Sequence, residues 1–302
     1  MVTKTIVSKY VSQVNNSTSI FPKKFFKVHN NTNKKSAQWA TTYGFKNNVP
    51  PQGYKRLKAK KQYQSSKGNQ LTIQLPLQYA GRYVYIWTTK PTSSRTTILP
   101  PLESYGLHVQ KPEMNEAFVK VSSNGTFRFR IQNPSIYKSS LQSHKVYPPH
   151  IHYKITTKDG TQFTRDFYTM TYLSDITVRE TLRELTKGYT VVLNALPSEY
   201  YAKYNIPGSY NLPVKTATKM TQQEMDQFMK DILVNYPKLQ KMVQEKKLKL
   251  HHIPIITYCA HAKCSAANML SNELLTRNFI NVVHYADGIN GYYQKKYGVT
   301  IF

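Results

Sequence analysis

Three groups of residues have the types and spacing to do chemistry or to bind. Cys259 and Cys264, the two cysteines of the 302-residue chain, bracket the loop Ala260-His261-Ala262-Lys263. The thiolate rather than the thiol is the nucleophile, and Lys263 and a protonated His261 could lower the pKa of Cys259. In the segment Pro148-Pro149-His150-Ile151-His152-Tyr153, His150 and His152 lie on the same side of a strand, because side chains alternate with period two. That spacing suits a metal, and Tyr137, 13 residues before His150, offers a phenolate suited to a hard ferric ion. The third group is Tyr54-Lys55-Arg56-Leu57-Lys58-Ala59-Lys60-Lys61-Gln62-Tyr63, which interleaves aromatics with cations. Tyr54, Lys55, Arg56, Lys58, Lys60, Lys61 and Tyr63 could combine phosphate neutralisation with stacking on bases, or form a solvated basic linker.

Charge sets the context for that last group. The chain carries 42 Lys and Arg against 15 Asp and Glu, a formal net charge of +27, and residues 1–102 hold 17 of the cations and no carboxylate. A segment so one-sided repels itself, so a polyanion such as RNA, or neighbouring protein subunits, are the expected partners. Apolar residues make up 40% of the chain, which excludes wholesale disorder. No run approaches the roughly 18–20 apolar residues of a bilayer-spanning helix, so no transmembrane segment is expected. Two cysteines cannot form a disulfide framework, which points to a reducing compartment. Val2, Ile6, Tyr10 and Val14 recur at helical spacing, an amphipathic segment consistent with mitochondrial targeting or with docking on a neighbour. Cytoplasmic and virion locations are the alternatives.

The elements that must position these residues differ along the chain, and the reading is an α+β multidomain protein. Residues 1–69 form a basic extended arm. Residues 70–172 carry short alternating runs, among them Leu71-Thr72-Ile73-Gln74-Leu75, Tyr83-Val84-Tyr85-Ile86-Trp87 and Thr126-Phe127-Arg128-Phe129-Arg130, which predict an antiparallel β-sandwich. From residue 173 onward strands alternate with helices, among them a long amphipathic helix over 221–245 opened by the capping box Thr221-Gln222-Gln223-Glu224. This alternation predicts an α/β domain with a parallel sheet.

Two resemblances attach to these segments. The Val84–Trp87 run, the Asn124-Gly125 turn with Phe127 and Phe129, then Tyr137 and the Pro-Pro-His-Ile-His segment resemble the catalytic sandwich of intradiol ring-cleaving dioxygenases. That likeness implies non-haem iron held by two tyrosines and two histidines. Tyr137, His150 and His152 match, but Ser94-Arg95-Thr96 stands where the first tyrosine should follow the Trp87 strand, and Tyr147 replaces an expected Arg. Three ligands could still hold iron or zinc, or the histidines could bond to nearby backbone groups. No cofactor is required, and dioxygenase activity is not expected.

The second resemblance is to the rhodanese family. Asn205-Ile206-Pro207-Gly208-Ser209-Tyr210-Asn211-Leu212-Pro213, then Ile255-Ile256-Thr257-Tyr258-Cys259 with Ser265-Ala266-Ala267, then Asp287-Gly288-Ile289 occur in the family's order and spacing. This implies a cysteine at the end of the central strand, cradled by backbone N–H groups at a helix N-terminus that stabilise a thiolate and a persulfide. Cys259 takes that place as nucleophile, with Cys264, His261 and Lys263 in support; Cys264 could act as a resolving thiol. Asn194-Ala195-Leu196 replaces the usual Asp-x-Arg, and Cys264 replaces the Arg that often closes the loop. Two functions compete. One is a basic accessory subunit of a large RNA-containing assembly, for example a mitochondrial ribosome, built on degenerate domains. The other is an active cysteine-persulfide sulfurtransferase using Cys259.

Overall fold

The computed structural model describes residues 62–64, 68–92, 94–105, 115–138 and 146–302. Two compact units are present, one ending at Tyr172 and the other running from Leu173 to Phe302 with the short segment Ser93–Thr97. Of the basic run, Tyr54, Lys55, Arg56, Lys58, Lys60 and Lys61 lie outside the described residues, as does the amphipathic segment over 2–14. Tyr63 is described and exposed.

The described strands of the first unit are β1 (Tyr63–Gln64), β2 (Asn69–Gln74), β3 (Tyr83–Thr88), β4 (Asn115–Lys120), β5 (Thr126–Ile131), β6 (Tyr137–Lys138), β7 (Val146–Tyr147), β8 (His150–Thr156) and β9 (Phe163–Thr171). A helical turn, α1 (Pro101–Ser104), lies between β3 and β4. Five strands form an antiparallel sheet in the order β1-β4-β3-β8-β9, while β2 pairs with β5 in a separate ribbon. The alternation in the sequence explains the layering. Leu71 and Ile73 of β2 and Phe127, Phe129 and Ile131 of β5 pack in one core with Val84, Ile86, Ala117, Val119, Ile151, Tyr153 and Ile155 of the larger sheet. His150 and His152 alternate with Ile151 and Tyr153 along β8, so they occupy the other face, where the His152 ring lies 5.2 Å from that of Trp87.

The second unit contains β10 (Asp175–Ile176), α2 (Val178–Lys187), β11 (Val191–Asn194), α3 (Ser198–Lys203), β12 (Tyr210–Asn211), α4 (Val214–Ala217), α5 (Gln222–Leu233), α6 (Pro237–Gln244), β13 (Ile255–Tyr258), α7 (Ala266–Thr276), β14 (Val282–Tyr285) and α8 (Gly288–Tyr297). Its strands make one parallel sheet in the order β10-β14-β13-β11-β12, as the alternation predicts. β11, β13 and β14 are buried at every position, the pattern of strands covered on both faces. The Thr221–Glu224 capping box forms with both of its reciprocal hydrogen bonds. The single helix expected over 221–245 does not. It breaks into α5 and α6 at Pro237, which lacks an N–H, disfavours helical backbone at Tyr236 and therefore starts a new helix. No helix among the described residues is long and apolar enough to cross a membrane.

Candidate active site

Strand β13 is inner in its sheet, flanked by β11 and β14, and the residue that follows it is Cys259. The chain then turns back on itself: the Cys264 N–H donates to the His261 carbonyl at 2.9 Å, and α7 begins two residues later. This turn brings both cysteines together, close enough that each thiol shifts the titration of the other. The Cys259 thiol also approaches the Cys264 carbonyl oxygen at 3.4 Å. Cys259 is buried, and Cys264 is partly exposed.

Helix N-termini surround the pair from two sides. Ala267 N–H, in the first turn of α7, points at the Cys259 sulfur, while Ala266 N–H and Ala260 N–H point at that of Cys264. These amides have no partner within the helix, and the helix dipole adds positive potential at the same place. From the other side, α8 holds the loop by its carbonyls. Ile289 N–H donates to Cys259 O at 2.9 Å and Asn290 N–H to Ala260 O at 3.0 Å. Contact this close requires glycine at the start of α8. Gly288 has φ +60°, and a Cβ on it would lie 2.2 Å from Cys259 O.

The two thiols titrate as a pair. The adjacent Cys259 thiol, then the Ala266 and Ala260 amides and the charge of His261, hold Cys264 well below the ordinary thiol range. The same proximity, with burial, pushes Cys259 far above it. One proton thus leaves the pair readily and the second is held. Alkylation of Cys264 by iodoacetamide is therefore expected to rise with pH about a midpoint below that of a free thiol at about 8.5. A midpoint above pH 8, read by peptide mass spectrometry, contradicts the arrangement.

His261 and Lys263 are placed less directly than expected. The Nδ1 atom of His261 accepts the Lys263 backbone N–H at 3.2 Å, which stiffens the turn. Lys263 is exposed. The Ile206–Leu212 landmark acts through Tyr258 beneath Cys259: the Tyr258 hydroxyl accepts the Ile206 N–H at 3.0 Å and lies 2.7 Å from Ser209 Oγ. Where an Asp-x-Arg was expected, Asn194 Oδ1 accepts the Leu196 N–H at 2.8 Å and Asn211 donates to Leu196 O at 2.8 Å, so an uncharged pair fixes that turn.

In the other unit, Tyr137, His150 and His152 also come together. His150 Nε2 lies 3.0 Å from the Tyr137 hydroxyl and 3.0 Å from His152 Nε2. His150 Nδ1 sits 2.7 Å from Pro148 O, a carbonyl that can only accept, so the proton is on Nδ1 and the Nε2 lone pair faces the cluster. Burial lowers the His150 pKa to about 4 and keeps the ring neutral. A second phenol is present after all. The Tyr105 hydroxyl donates to that of Tyr137 at 3.2 Å, both rings being buried. The expected position after the Trp87 strand misses it because the chain first runs through α1, with Tyr105 just beyond. Among the described residues no cluster of three or more His, Cys, Asp or Glu could hold a metal, so any such site here depends on the tyrosines.

Comparison with known proteins bears on the second unit. Residues 177–295 match the family model described as a rhodanese-like domain. Similar solved structures include the single domain sulfurtransferase RDL2 of Saccharomyces cerevisiae, at 14% identity and TM-score 0.31, covering 42% of this chain and 94% of that one. The human single domain sulfurtransferase TSTD1 matches at 17% identity and TM-score 0.30, covering 41% of this chain and 98% of that one. The BH2092 protein of Bacillus halodurans matches at 19% identity and TM-score 0.29, covering 41% of this chain and 73% of that one. Comparison with curated proteins gives no match. The likeness to a rhodanese-like domain therefore lies within residues 177–295.

Proposed function

We propose that the second unit is a sulfurtransferase that carries sulfane sulfur as a persulfide on Cys259. The observation behind this reading is the thiol pair at the end of β13, set among N–H donors at the start of α7. Those donors stabilise a thiolate and, after reaction, a persulfide anion. A proton shift from Cys259 to the Cys264 thiolate places the negative charge on Cys259. Its thiolate then attacks the outer sulfur of an anionic donor such as thiosulfate, forming the S–S bond of the persulfide and releasing sulfite. Lys263 adds positive charge on the loop, which favours an anionic donor. Because Cys259 is fully covered, uptake requires the turn over Ala260–Lys263 to move aside.

The Cys264→Ser chain isolates this step, because serine keeps a hydrogen-bond donor beside Cys259 while removing the second thiol. Incubated with thiosulfate, it is expected to gain about 32 Da on Cys259 and to pass that sulfur to cyanide. The Cys259→Ala, Cys264→Ser chain should gain nothing. A folded Cys264→Ser protein that takes up no sulfur rejects the reading. The assembly role expected from the basic arm rests on residues that lie outside the described ones, and no observation on the described residues supports it.

A second reading concerns the first unit and is favoured by the convergence of Tyr105, Tyr137, His150 and His152. The donors fit a metal: an Nε2 lone pair with a fixed tautomer, a second imidazole and two phenols, all buried. Such a set suits iron or zinc, and the ion would supply Lewis acidity, or with iron a redox centre. Tyr137, His150 and His152 would hold it, with Tyr105 as a further phenol. Incubation with ferric ion is expected to leave about one ion per chain after desalting, with visible absorption from a bound phenolate. The His150→Ala, His152→Ala chain should retain none, and Tyr105→Phe should weaken the absorption. Equal retention by the double variant counts against the site.

A further inference from the structure

Cys264 occupies a position where a purely supporting residue would have no need of sulfur. Cys259 Sγ lies 3.4 Å from the Cys264 carbonyl oxygen, and the intervening turn is closed by the Cys264 N–H to His261 O bond of 2.9 Å. Both sulfurs draw on amides from the same helix start. Their exposures differ in a useful way: Cys259 lies at the buried end of β13, and Cys264 is partly open to solvent. A disulfide between them would lock this turn and present its outer sulfur to a reductant.

Building on the persulfide reading above, we infer that Cys264 is a resolving residue that expels the carried sulfur as hydrosulfide, so that the second substrate of the unit is a dithiol reductant. The Cys264 thiolate attacks Sγ of the Cys259 persulfide. The Cys259–Cys264 bond forms, the bond between Cys259 Sγ and the outer sulfur breaks, and the outer sulfur leaves with its proton as hydrosulfide. The two cysteine sulfurs are together oxidised by two electrons, and the expelled sulfane sulfur is reduced by two. An external dithiol then reduces the disulfide through a mixed disulfide at the accessible Cys264 and leaves as its own cyclic disulfide. The N–H groups that stabilise the resting thiolate also stabilise the Cys259 thiolate released when Cys264 is attacked. The exposed side of the pair is thus where the reductant engages, and the buried side is where sulfur is held.

The test uses the full chain without oxygen or reductant. Wild-type and Cys264→Ser proteins are given one equivalent of thiosulfate, and both hydrosulfide and peptide masses are followed. The wild type should release hydrosulfide at least about tenfold faster than the variant, as expected for an attack between groups held in one turn. Its Cys259 and Cys264 peptides should become linked, with a loss of about 2 Da. The variant should retain its added sulfur on Cys259, and Cys264→Ala should behave in the same way. A wild-type chain that keeps its persulfide, or one in which the sulfur moves to Cys264, overturns the inference while leaving the persulfide reading intact. Failure of both chains to take up sulfur removes the persulfide reading and this inference with it. Adding dithiothreitol to the linked wild type should restore both thiols and permit a second round; a disulfide that resists it contradicts the proposed role for a dithiol.

Discussion

Replacing Gly288 by alanine is expected to cost about 3 kcal/mol and to slow sulfur uptake at Cys259 at least about tenfold, whereas Gly298→Ala should cost about 1 kcal/mol and leave uptake unchanged. Both glycines belong to the same helix: Gly288 begins α8 with φ +60°, and Gly298 ends it with φ +73°. The backbone penalty for a non-glycine residue is thus similar at the two ends. What differs is the surroundings. Nothing lies within 4 Å of a Cβ at Gly298, while one at Gly288 would meet Cys259 O at 2.2 Å and Ala260 O at 2.9 Å. Those are backbone atoms and cannot rotate away. They are also the carbonyls of the residues that Ile289 and Asn290 hold by hydrogen bonds, so relief of the clash must shift the residue that carries the sulfur. Urea unfolding of the two variants gives the stability difference, and uptake measured in the Cys264→Ser background gives the rate. Equal behaviour of the two alanine variants would mean that α8 does not position the loop.

This contrast marks the boundary of what the chain alone reveals about the site. Asp287-Gly288-Ile289 is visible as a landmark, but its purpose depends on a carbonyl 29 positions earlier in the sequence approaching the glycine. No local pattern encodes that approach. Tyr105 is hidden for a related reason. The strand ending at Trp87 points to a phenol directly after it, whereas α1 delivers one from farther along. The segment over 221–245 reads as one helix because the apolar period continues through Pro237, although the proline itself is the stop signal. Features set by neighbours in sequence were legible. Thr221 and Glu224 close their capping box, and the strand-helix alternation after residue 173 becomes a parallel sheet. His150 and His152 share a face because alternation is a property of any strand, whereas the tautomer that aims Nε2 of His150 inward depends on Pro148 O and on the fold of the chain around it.

The second large effect lies in the first unit, where Phe129→Ala should destabilise the chain by about 3–5 kcal/mol and Arg128→Ala by less than about 0.5 kcal/mol. The two residues are neighbours on β5 and have the same strand backbone, so their difference isolates side-chain burial. Phe129 is 0% exposed, stacks on Phe127 at 5.7 Å between ring centroids and packs in the core with Ile86, Ile151 and Tyr153. Truncation removes that apolar contact and leaves a cavity that β2 and β5, held by six residue pairs, cannot collapse to fill. Arg128 is exposed on the opposite face of the ribbon. Urea midpoints for both variants, compared at equal slope, decide the matter. Similar losses at the two positions would mean that β5 does not present alternate residues to the core, and the placement of Phe127 and Ile131 would fall with that of Phe129. A large loss at Phe129 alone would tie the period-two pattern of Thr126-Phe127-Arg128-Phe129-Arg130 to the packing that supports β8, and through β8 to its opposite face, where His150 and His152 meet Tyr137.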